Sequence, residues 1–511
     1  MEDKKRAVVN EQLEGKNILI TGCSGFLGKV LLEKIIRSIP NVANLYLLVR
    51  GSDKYKTGKE RFNQEIACSS IFNSLKAHNL EAFESFCDHK IHIVSGELTE
   101  PLFGLAENEF KALSEKLDLI VNSAASVNFR EELDKALKIN TLCLNNIILL
   151  SKSGGNLPVV QVSTCYVHGF NKGEIYEETM APARELFPQS KSGLFLIEEV
   201  VADLEQKIAS LKLTTNDEKS LKDNLVELGA EQAQRYGWND VYTFTKWMGE
   251  QLLLEKLQGQ SLAILRPAII ESTLKAPVAG WIEGVKVADA IIFAYARGKL
   301  SYFPGDPKGV MDIIPADLVA NGVILSMTKV LKSPGEINIY QCCSRGSSQP
   351  TIRQLIDIMI LEANLNYKKY PKLFRDQQPA EKFKLVSKGI FDTVVKTLDA
   401  SFNSAQQVKS LLGLDAQKSK MHRNISTAKQ LSTVFSFYGY PKYRFKNDRL
   451  LALAKELGQA GESEYQVDPS SIDWNNYFGP SHLTGLEQYA LKSTQVTEPE
   501  KKIKGRKQEA A

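Results

Sequence analysis

The feature that most restricts the fold of this 511-residue chain is a set of three glycines directly after an apolar segment. Residues 17–21 read as a strand, the glycines follow at positions 22, 25 and 28, and residues 29–37 read as a helix. A strand, a glycine turn and a helix N-terminus in this order can bind a pyrophosphate, because the turn admits the phosphates and the helix offers unpaired N–H groups. The sequence therefore predicts a dinucleotide site near its start. Its predicted contacts are Thr21, Gly22, Ser24, Gly25, Phe26, Leu27 and Gly28.

Short β-branched apolar runs alternate with helical patterns from residue 16 to about residue 340. Continuous apolar strands separated by helices indicate a parallel sheet that is covered on both faces. The predicted fold class is α/β, with a doubly wound parallel Rossmann sheet. The predicted strands are residues 17–21, 45–50, 91–95, 119–122, 159–163 and 263–266.

The alternation stops between residues 163 and 242, where no strand pattern is found and residues 195–231 are charged and helix-prone. We predict a helical insertion at about 171–240, near the edge where such sheets bind ligands. The alternative is that this insertion is a solvated segment with a purely structural role. The predicted units are residues 1–345 (the dinucleotide-binding domain), 346–492 (a mostly α C-terminal domain) and 493–511 (a disordered basic tail).

Composition excludes several classes of protein. Lys and Arg total 64 against 60 Asp and Glu, so the net charge of +4 does not favour a nucleic-acid partner. The seven cysteines form no CxxC pair, which is typical of a reducing compartment. No secretory signal and no run long enough to span a membrane are found. We expect a cytoplasmic protein, with peripheral contact to a membrane left open.

The second predicted strand ends at Arg50, where sites for NAD usually place a carboxylate that holds the ribose hydroxyls. A guanidinium suits a 2′-phosphate instead. Arg61, on the following helix, could reinforce the same site. The sequence therefore predicts NADPH rather than NADH, and a plain surface arginine is the alternative.

Two groups of polar residues are candidates for catalysis. Tyr242 and Lys246 are four residues apart on a predicted helix, so they share one face. An adjacent ammonium is expected to lower the pKa of the tyrosine and to make it a usable proton donor. Ser163 and Thr164 follow the fifth strand and can hydrogen-bond a carbonyl oxygen, although strand-end capping is an equal alternative for either one.

Two further patterns concern metal binding and the binding of an apolar substrate. His89 and His92 flank a strand without a credible set of additional ligands, so no metal site is predicted. Val285, Ala288, Ile292 and Tyr295 form an apolar stripe at helical spacing. This stripe could wall a tunnel for an apolar substrate together with the insertion and the C-terminal domain, or it could be core packing.

The ordered set of glycine turn, strand-end arginine, hydroxyl pair and YxxxK resembles the extended short-chain dehydrogenase/reductase family over residues 16–340. The resemblance implies that Thr164, Tyr242 and Lys246 are catalytic, with Ser163 as a second candidate for the hydroxyl. It also implies a set of further residues at the cofactor, either as contacts or as support. These are Glu97, Leu98, Ser123, Ala124, Ala125 and Asn140.

A narrower resemblance covers nearly the whole chain and is to fatty acyl-CoA reductases, most of all the bacterial alcohol-forming type. It rests on residues 62–72 and on several further blocks, and it implies additional cofactor contacts at Pro267 and Ile269. The blocks are Ser123-Ala-Ala-Ser-Val-Asn-Phe129, Val162-Ser-Thr-Cys-Tyr166, Tyr242-Thr-Phe-Thr-Lys246, Arg266-Pro-Ala-Ile-Ile270, Pro277-Val-Ala-Gly-Trp-Ile-Glu-Gly284, Ile472-Asp-Trp-Asn-Asn-Tyr477 and Gly485-Leu-Glu-Gln-Tyr-Ala490.

This resemblance implies an activity. The expected reaction is NADPH-dependent reduction of a long-chain acyl thioester, of coenzyme A or of acyl-carrier protein, through the aldehyde to the primary alcohol. A thioester reductase that stops at the aldehyde is an alternative, as is an extended short-chain reductase or epimerase acting on a sugar nucleotide or a steroid. A non-catalytic NADP-sensing protein is disfavoured, because such a protein would be expected to lose the Tyr/Lys pair.

Overall fold

A computed structural model of the chain contains one seven-stranded parallel sheet at its centre. It describes residues 2–491 except 185–186, 287, 297, 299–301, 345–348, 376, 380–382, 392, 394–396, 398–436, 460 and 462. The sheet strands, in chain order, are β1 (Asn17–Thr21), β2 (Asn44–Val49), β3 (Ile91–Ser95), β4 (Leu119–Asn122), β5 (Val159–Val162), β7 (Leu262–Pro267) and β11 (Ile337–Cys342).

The strand order in the sheet is β11-β7-β5-β4-β1-β2-β3, with all neighbours parallel. The chain builds one half outward from β1 to β3 and then crosses to β4 on the other side. The order therefore reverses between β1 and β4, which is the point where doubly wound sheets bind their ligands. Strands β4, β5 and β7 are buried at every position, as expected for a sheet with both faces covered.

Helices cover both faces of this sheet. On one face α1, α2 and α13 pack together, and on the other α6, α8 and α11 do so. The principal helices are α1 (Glu2–Leu13), α2 (Phe26–Ser38), α3 (Gly58–Arg61), α4 (Asn73–His78), α5 (Leu80–Lys90), α6 (Glu107–Ser114), α7 (Leu133–Leu137), α8 (Leu144–Ser153), α9 (Glu198–Thr214), α10 (Glu218–Tyr236), α11 (Val241–Lys256), α12 (Asp289–Ala296), α13 (Ala316–Lys332), α14 (Ile352–Asn366), α15 (Pro371–Phe374) and α16 (Asp448–Glu456).

The predicted α/β fold class is confirmed, including the helical insertion, where α9 and α10 lie. Two details of the prediction were wrong. The seventh strand, β11, was not among the predicted strands, and the interval before α11 does contain a strand, β6 (Gly173–Ile175). β6 has only three residues and pairs with β13 (Tyr443–Phe445), which lies far along the chain. Three residues are too few to show a periodic pattern, so a strand this short is recognised only by its hydrogen bonds to β13.

Outside the central sheet, the described residues also form three separate pairs of short parallel strands. β8 (Ile269–Glu271) pairs with β10 (Ile313–Pro315), and β9 (Tyr302–Pro304) pairs with β12 (Lys384–Val386). The third pair is β6 with β13. The described part of the C-terminal region is mostly helical, and its apolar side chains join the same continuous core as the sheet. The predicted basic tail, 493–511, lies outside the described residues, and the domain boundary near residue 345 stays a prediction.

Candidate active site

A cavity of about 950 Å³ opens at the carboxyl edge of the sheet, where the strand order reverses. It is lined by the β1–α2 turn, by the ends of β2, β4, β5 and β7, by the segment after β3 and by the start of α11. Every predicted site residue except Asn140 lines this one cavity. Its size is at the upper end of the range for ligand sites in proteins, which suits an extended ligand.

The glycine turn leaves no space for side chains at two of its positions. Gly22 has φ +74°, and a Cβ there would lie 2.6 Å from the backbone nitrogen of Ala124. A Cβ at Gly28 would lie 2.2 Å from the carbonyl oxygen of Gly22, so α2 packs directly on the turn. Gly25 precedes α2 as its N-cap, and no acidic residue occupies the first helical turn. This cradle fits the pyrophosphate of a dinucleotide, because the first-turn N–H groups and the helix dipole favour an anion.

The end of β1 is connected to the loop after β4 by side-chain hydrogen bonds. The Thr21 hydroxyl donates to the side-chain oxygen of Asn122 and accepts from the backbone of Ala124 at 3.3 Å. The Ser123 hydroxyl donates to the carbonyl oxygen of Thr21 at 2.7 Å. Two strand ends that lie about one hundred residues apart in sequence thus form one rigid floor beneath the glycine turn.

At the far end of the cavity, Arg50 follows β2 and contacts the segment after β3. Its guanidinium donates to Glu97 Oε2 at 2.9 Å, with the arginine side chain 62 % exposed. Arg61 lies beside it but forms a two-point ion pair with Glu65 at 3.0 and 3.2 Å. Arg50 is therefore the more available of the two cations that face this part of the cavity.

The predicted catalytic residues lie together at the opposite end. Tyr242, at the start of α11, lines this end of the cavity together with Thr164, whose hydroxyl acts to lower the pKa of the Tyr242 phenol. Thr164 also caps the short helix that follows it by accepting from the backbone of Tyr166. The hydroxyl of Ser163 is buried and has no hydrogen-bond partner among the described residues. Ser163 and Thr164 therefore both line the cavity, and of the two only Thr164 influences the pKa of Tyr242.

The expectation that Lys246 lowers the pKa of Tyr242 is not met. Burial and the carboxylate of Asp240 together raise the pKa of the Tyr242 phenol, and the Thr164 hydrogen bond opposes them only in part. Lys246 donates to the carbonyl oxygen of Val162 at 2.7 Å, and burial lowers its pKa to about 8. Desolvation exceeds any attraction from the ammonium here, so the phenol keeps its proton at neutral pH.

Helix α11 is held by contacts on both sides of Tyr242 and Lys246. Asp240 caps it by accepting from the backbone of Thr243 at 2.8 Å. One turn beyond Lys246, the fully buried Glu250 forms a two-point ion pair with Arg266 of β7, at 2.9 and 2.6 Å. These contacts hold the helix that carries Tyr242 and Lys246 in one position and orientation relative to the sheet.

An aromatic wall stands beside Tyr242 and comes from three distant parts of the chain. Phe129 lies 5.7 Å from Tyr242 and 5.6 Å from Tyr438, and Tyr438 lies 4.9 Å from Tyr166, measured between ring centroids. The Tyr438 hydroxyl also hydrogen-bonds Asp240. The sequence analysis did not identify Tyr438, and no local signal could have found it, since only tertiary packing places it in the cavity.

The structure also gives the positions of Asn140 and of the apolar stripe. Asn140 lies outside the cavity lining, where its amide accepts from the backbone of Ser126 at 3.0 Å and donates to the Thr245 hydroxyl at 3.0 Å. It therefore connects the loop at Ser126 to helix α11, beside the predicted catalytic residues. Of the apolar stripe, Ala288 and Ile292 line a core void of only about 20 Å³, enough for roughly one water molecule. Core packing is thus the outcome for these two residues, whereas Val285 lines the main cavity.

Comparisons with known proteins identify the family. A family model described as "male sterility protein" matches residues 20–323, and a second model with the same description matches 403–493. Fatty acyl-CoA reductase 2 of Arabidopsis thaliana, named as chloroplastic, is 33% identical over 94% of this chain and 79% of its own length. The chain belongs to the fatty acyl-CoA reductase family. An alcohol-forming member from Simmondsia chinensis is 30% identical over 94% of this chain and 98% of its own length.

Among the solved structures that resemble this fatty acyl-CoA reductase family member are reductase domains of biosynthetic enzymes. The terminal domain of the myxalamid pathway has a TM-score of 0.58 at 19% identity, covering 93% of this chain and 90% of that chain. A nonribosomal peptide synthetase domain from Mycobacterium tuberculosis has a TM-score of 0.57 at 17% identity, covering 95% and 96%. At these identities the likeness shows the fold alone.

As a member of this family, the protein is an oxidoreductase that uses a nicotinamide cofactor. The glycine cradle and the cavity fit that cofactor, because the turn and the N-terminus of α2 line the same cavity as Tyr242. Among the described residues, the structure contains no helix with the length and apolar character required to cross a bilayer.

Proposed function

We propose that the protein reduces long-chain fatty acyl thioesters, of coenzyme A or of acyl-carrier protein, through the aldehyde to the primary alcohol, using NADPH. The observation that carries the proposal is that Thr164, Tyr242 and Lys246 line the same cavity as the glycine turn. A dinucleotide bound at that turn and a carbonyl group bound at Tyr242 would therefore lie in the same cavity. Relatives named as fatty acyl-CoA reductases, one of them alcohol-forming, support the substrate class and the product.

The residues divide the chemistry of the reaction between them. When bound, the reduced nicotinamide supplies one hydride to the carbonyl carbon in each of two rounds. The former carbonyl oxygen then carries negative charge, which the hydroxyls of Tyr242 and Thr164 stabilise by hydrogen bonding. In the first round the C–S bond breaks, the thiolate leaves and the oxygen re-forms a carbonyl. In the second round Tyr242 gives its proton to the alkoxide, and the alcohol results.

The ionisation states of the site agree with these roles. The raised pKa of Tyr242 keeps its proton available until an oxyanion develops beside it. Lys246, with a pKa of about 8, is charged at neutral pH and lies one helical turn from Tyr242. Its ammonium can stabilise the tyrosinate that remains after proton transfer. We assign the catalytic hydroxyl to Thr164, because it influences the pKa of Tyr242, and keep Ser163 as a second contact for the substrate oxygen.

Product analysis tests this proposal. With palmitoyl-CoA and NADPH, we expect hexadecanol as the product and two NADPH oxidised for each coenzyme A released. The measurement combines gas chromatography of the extracted lipids with NADPH absorbance and thiol titration. One NADPH consumed per coenzyme A, with hexadecanal as the end product, would mean that the enzyme stops at the aldehyde. Release of neither product, with palmitoyl-CoA or with a palmitoyl-acyl-carrier protein, would contradict the substrate class.

The preference for NADPH rests on Arg50, whose exposed guanidinium lines the cavity beyond β2. We expect Arg50→Asp to change the ratio of kcat/KM for NADPH to that for NADH by roughly 10- to 100-fold in favour of NADH. A charge-assisted hydrogen bond to a 2′-phosphate contributes about 1.5–3 kcal/mol, and the new carboxylate would repel that phosphate. Steady-state kinetics with both cofactors measure the change.

Lys111→Asp is the matched control, because it makes the same charge change at an exposed side chain on α6, away from the cavity. We expect it to leave the cofactor ratio unaltered. A wild-type enzyme that uses NADH as well as NADPH would refute the assignment of Arg50 before any variant is made.

A further inference from the structure

Three ionisable side chains meet in the interior, outside the catalytic residues. Glu271 ends β8, Asp289 begins α12, and His482 begins a short C-terminal helix, His482–Gly485. Each offers one ligand atom, and these atoms lie within 4.8 Å of one another. All three side chains are fully buried. A cluster that joins two carboxylates and an imidazole from distant parts of the chain requires a physical explanation, because isolated charges are costly to bury.

The outward-facing atoms of the three side chains are each held by a neighbour. Ala288 donates its backbone N–H to Glu271 Oε1 at 3.1 Å, and Lys286 donates its backbone N–H to Asp289 Oδ2 at 2.6 Å. His482 Nδ1 lies 2.9 Å from the hydroxyl of Ser272. Metal-binding side chains in proteins are typically oriented by such outer contacts, which fix the carboxylate rotation and the imidazole tautomer.

The inward-facing atoms are Glu271 Oε2, Asp289 Oδ1 and His482 Nε2. His482 Nε2 is 2.8 Å from Asp289 Oδ1 and 4.0 Å from Glu271 Oε2. Glu271 Oε2 is buried and has no hydrogen-bond partner among the described residues. Such an orphaned oxygen, directed at an imidazole nitrogen and a second carboxylate, points to a group that the protein atoms alone do not supply.

Positive charge from the surrounding residues is not directed at this centre. The Lys286 ammonium interacts electrostatically with both carboxylates, but it donates to the carbonyl oxygen of Glu283 at 2.5 Å and lies 4.1 Å from the centre of the Phe26 ring. Two carboxylates and an imidazole are thus buried together, and among the described residues no ammonium or guanidinium donates to the inward-facing atoms.

We propose that Glu271, Asp289 and His482 bind one divalent cation with the ligand preferences of Zn²⁺. Imidazole nitrogens and carboxylate oxygens are both ligands of this ion, and the two carboxylates neutralise its charge. Ligand atoms about 2.1 Å from a tetrahedral ion lie about 3.4 Å apart. The observed separations of 2.8 and 4.0 Å bracket that value, so small side-chain rotations suffice. A water molecule completes the coordination.

The ion would join the C-terminal segment to a wall of the cofactor cavity. Ile269 and Ile270 of β8, and Lys286 just before α12, line that cavity. The C-terminal segment already packs closely here, because the hydroxyl of Tyr477 donates to the carbonyl oxygen of Ser272 at 2.8 Å. A bound cation therefore has a structural role, and removing it should loosen the wall that carries Ile269 and Ile270.

Metal analysis of the purified full-length protein tests the site independently of any activity. We expect about one zinc per chain by inductively coupled plasma mass spectrometry after purification without chelators. Prolonged incubation with EDTA should remove the metal and lower the melting temperature, and added Zn²⁺ should restore both. The Glu271→Gln variant, which keeps the shape of the side chain and removes its charge, should lower the bound zinc at least tenfold.

Glu283→Gln is the matched control, because this nearby carboxylate pairs with Lys29 instead of the cluster. It should retain zinc like the wild type. A wild-type protein that carries no metal, and whose melting temperature responds neither to EDTA nor to added Zn²⁺ or Mn²⁺, would overturn the proposal. The cluster would then be a network that shares a proton, and Glu271→Gln should leave its stability equal or higher.

Discussion

Replacement of Tyr242 by phenylalanine is expected to lower turnover by a factor of roughly 10²–10⁴, which is the usual contribution of a positioned acid. The phenol is the proton donor nearest to the proposed oxyanion, and its raised pKa means that it holds this proton at neutral pH. NADPH binding should change little, because we propose that the glycine turn and Arg50 make the main contacts with the dinucleotide. Single-turnover kinetics and fluorescence titration of NADPH measure the two effects separately.

Tyr46→Phe provides the matched control. Tyr46 lies on β2, stacks against His92 and does not line the cavity. We expect it to retain wild-type turnover, so any general effect of losing a phenol would appear in both variants. If Tyr242→Phe turned over at the wild-type rate, the proton would have to come from another group, and the assignment of Tyr242 would be wrong.

Replacement of Arg266 by methionine is expected to destabilise the protein by about 3–5 kcal/mol, because it leaves the carboxylate of Glu250 buried without its partner. Both side chains are at most 1 % exposed, and Arg266 also donates to the carbonyl oxygen of Glu178 at 2.8 Å. Urea unfolding followed by circular dichroism measures the loss. Activity should fall as well, since the ion pair positions α11 and with it Tyr242.

Two further variants show that the effect comes from an unpaired buried charge. The double variant Arg266→Met with Glu250→Leu should recover a large part of the stability, because apolar pairs often replace buried ion pairs at little cost. Lys138→Met breaks an exposed pair with Glu100, in which both side chains are 51% exposed, and should cost less than about 1 kcal/mol. A single Arg266→Met variant as stable as the wild type would contradict the argument.

The sequence determined the parts of the fold that depend on local patterns. Apolar runs that alternate with helices predict the parallel sheet, and six of its seven strands were located within one residue at each end. The positive φ of Gly22 and the contact of Gly28 with the Gly22 carbonyl both belong to the turn itself, so the spacing of the glycines could predict a dinucleotide site. Tyr242 and Lys246 could be paired because four residues make about one helical turn.

Tertiary structure alone decided which distant residues meet and what environment they share. Tyr438 lines the cavity, although it lies far along the chain from the other lining residues and no sequence pattern links it to them. Glu271 approaches His482 only because the C-terminal segment packs against β8. The four-residue spacing of Tyr242 and Lys246 does not reveal how deeply the phenol is buried, which is why the direction of its pKa shift could not be derived from this spacing. Desolvation depends on every atom packed around the phenol, and those atoms come from several separate segments of the chain.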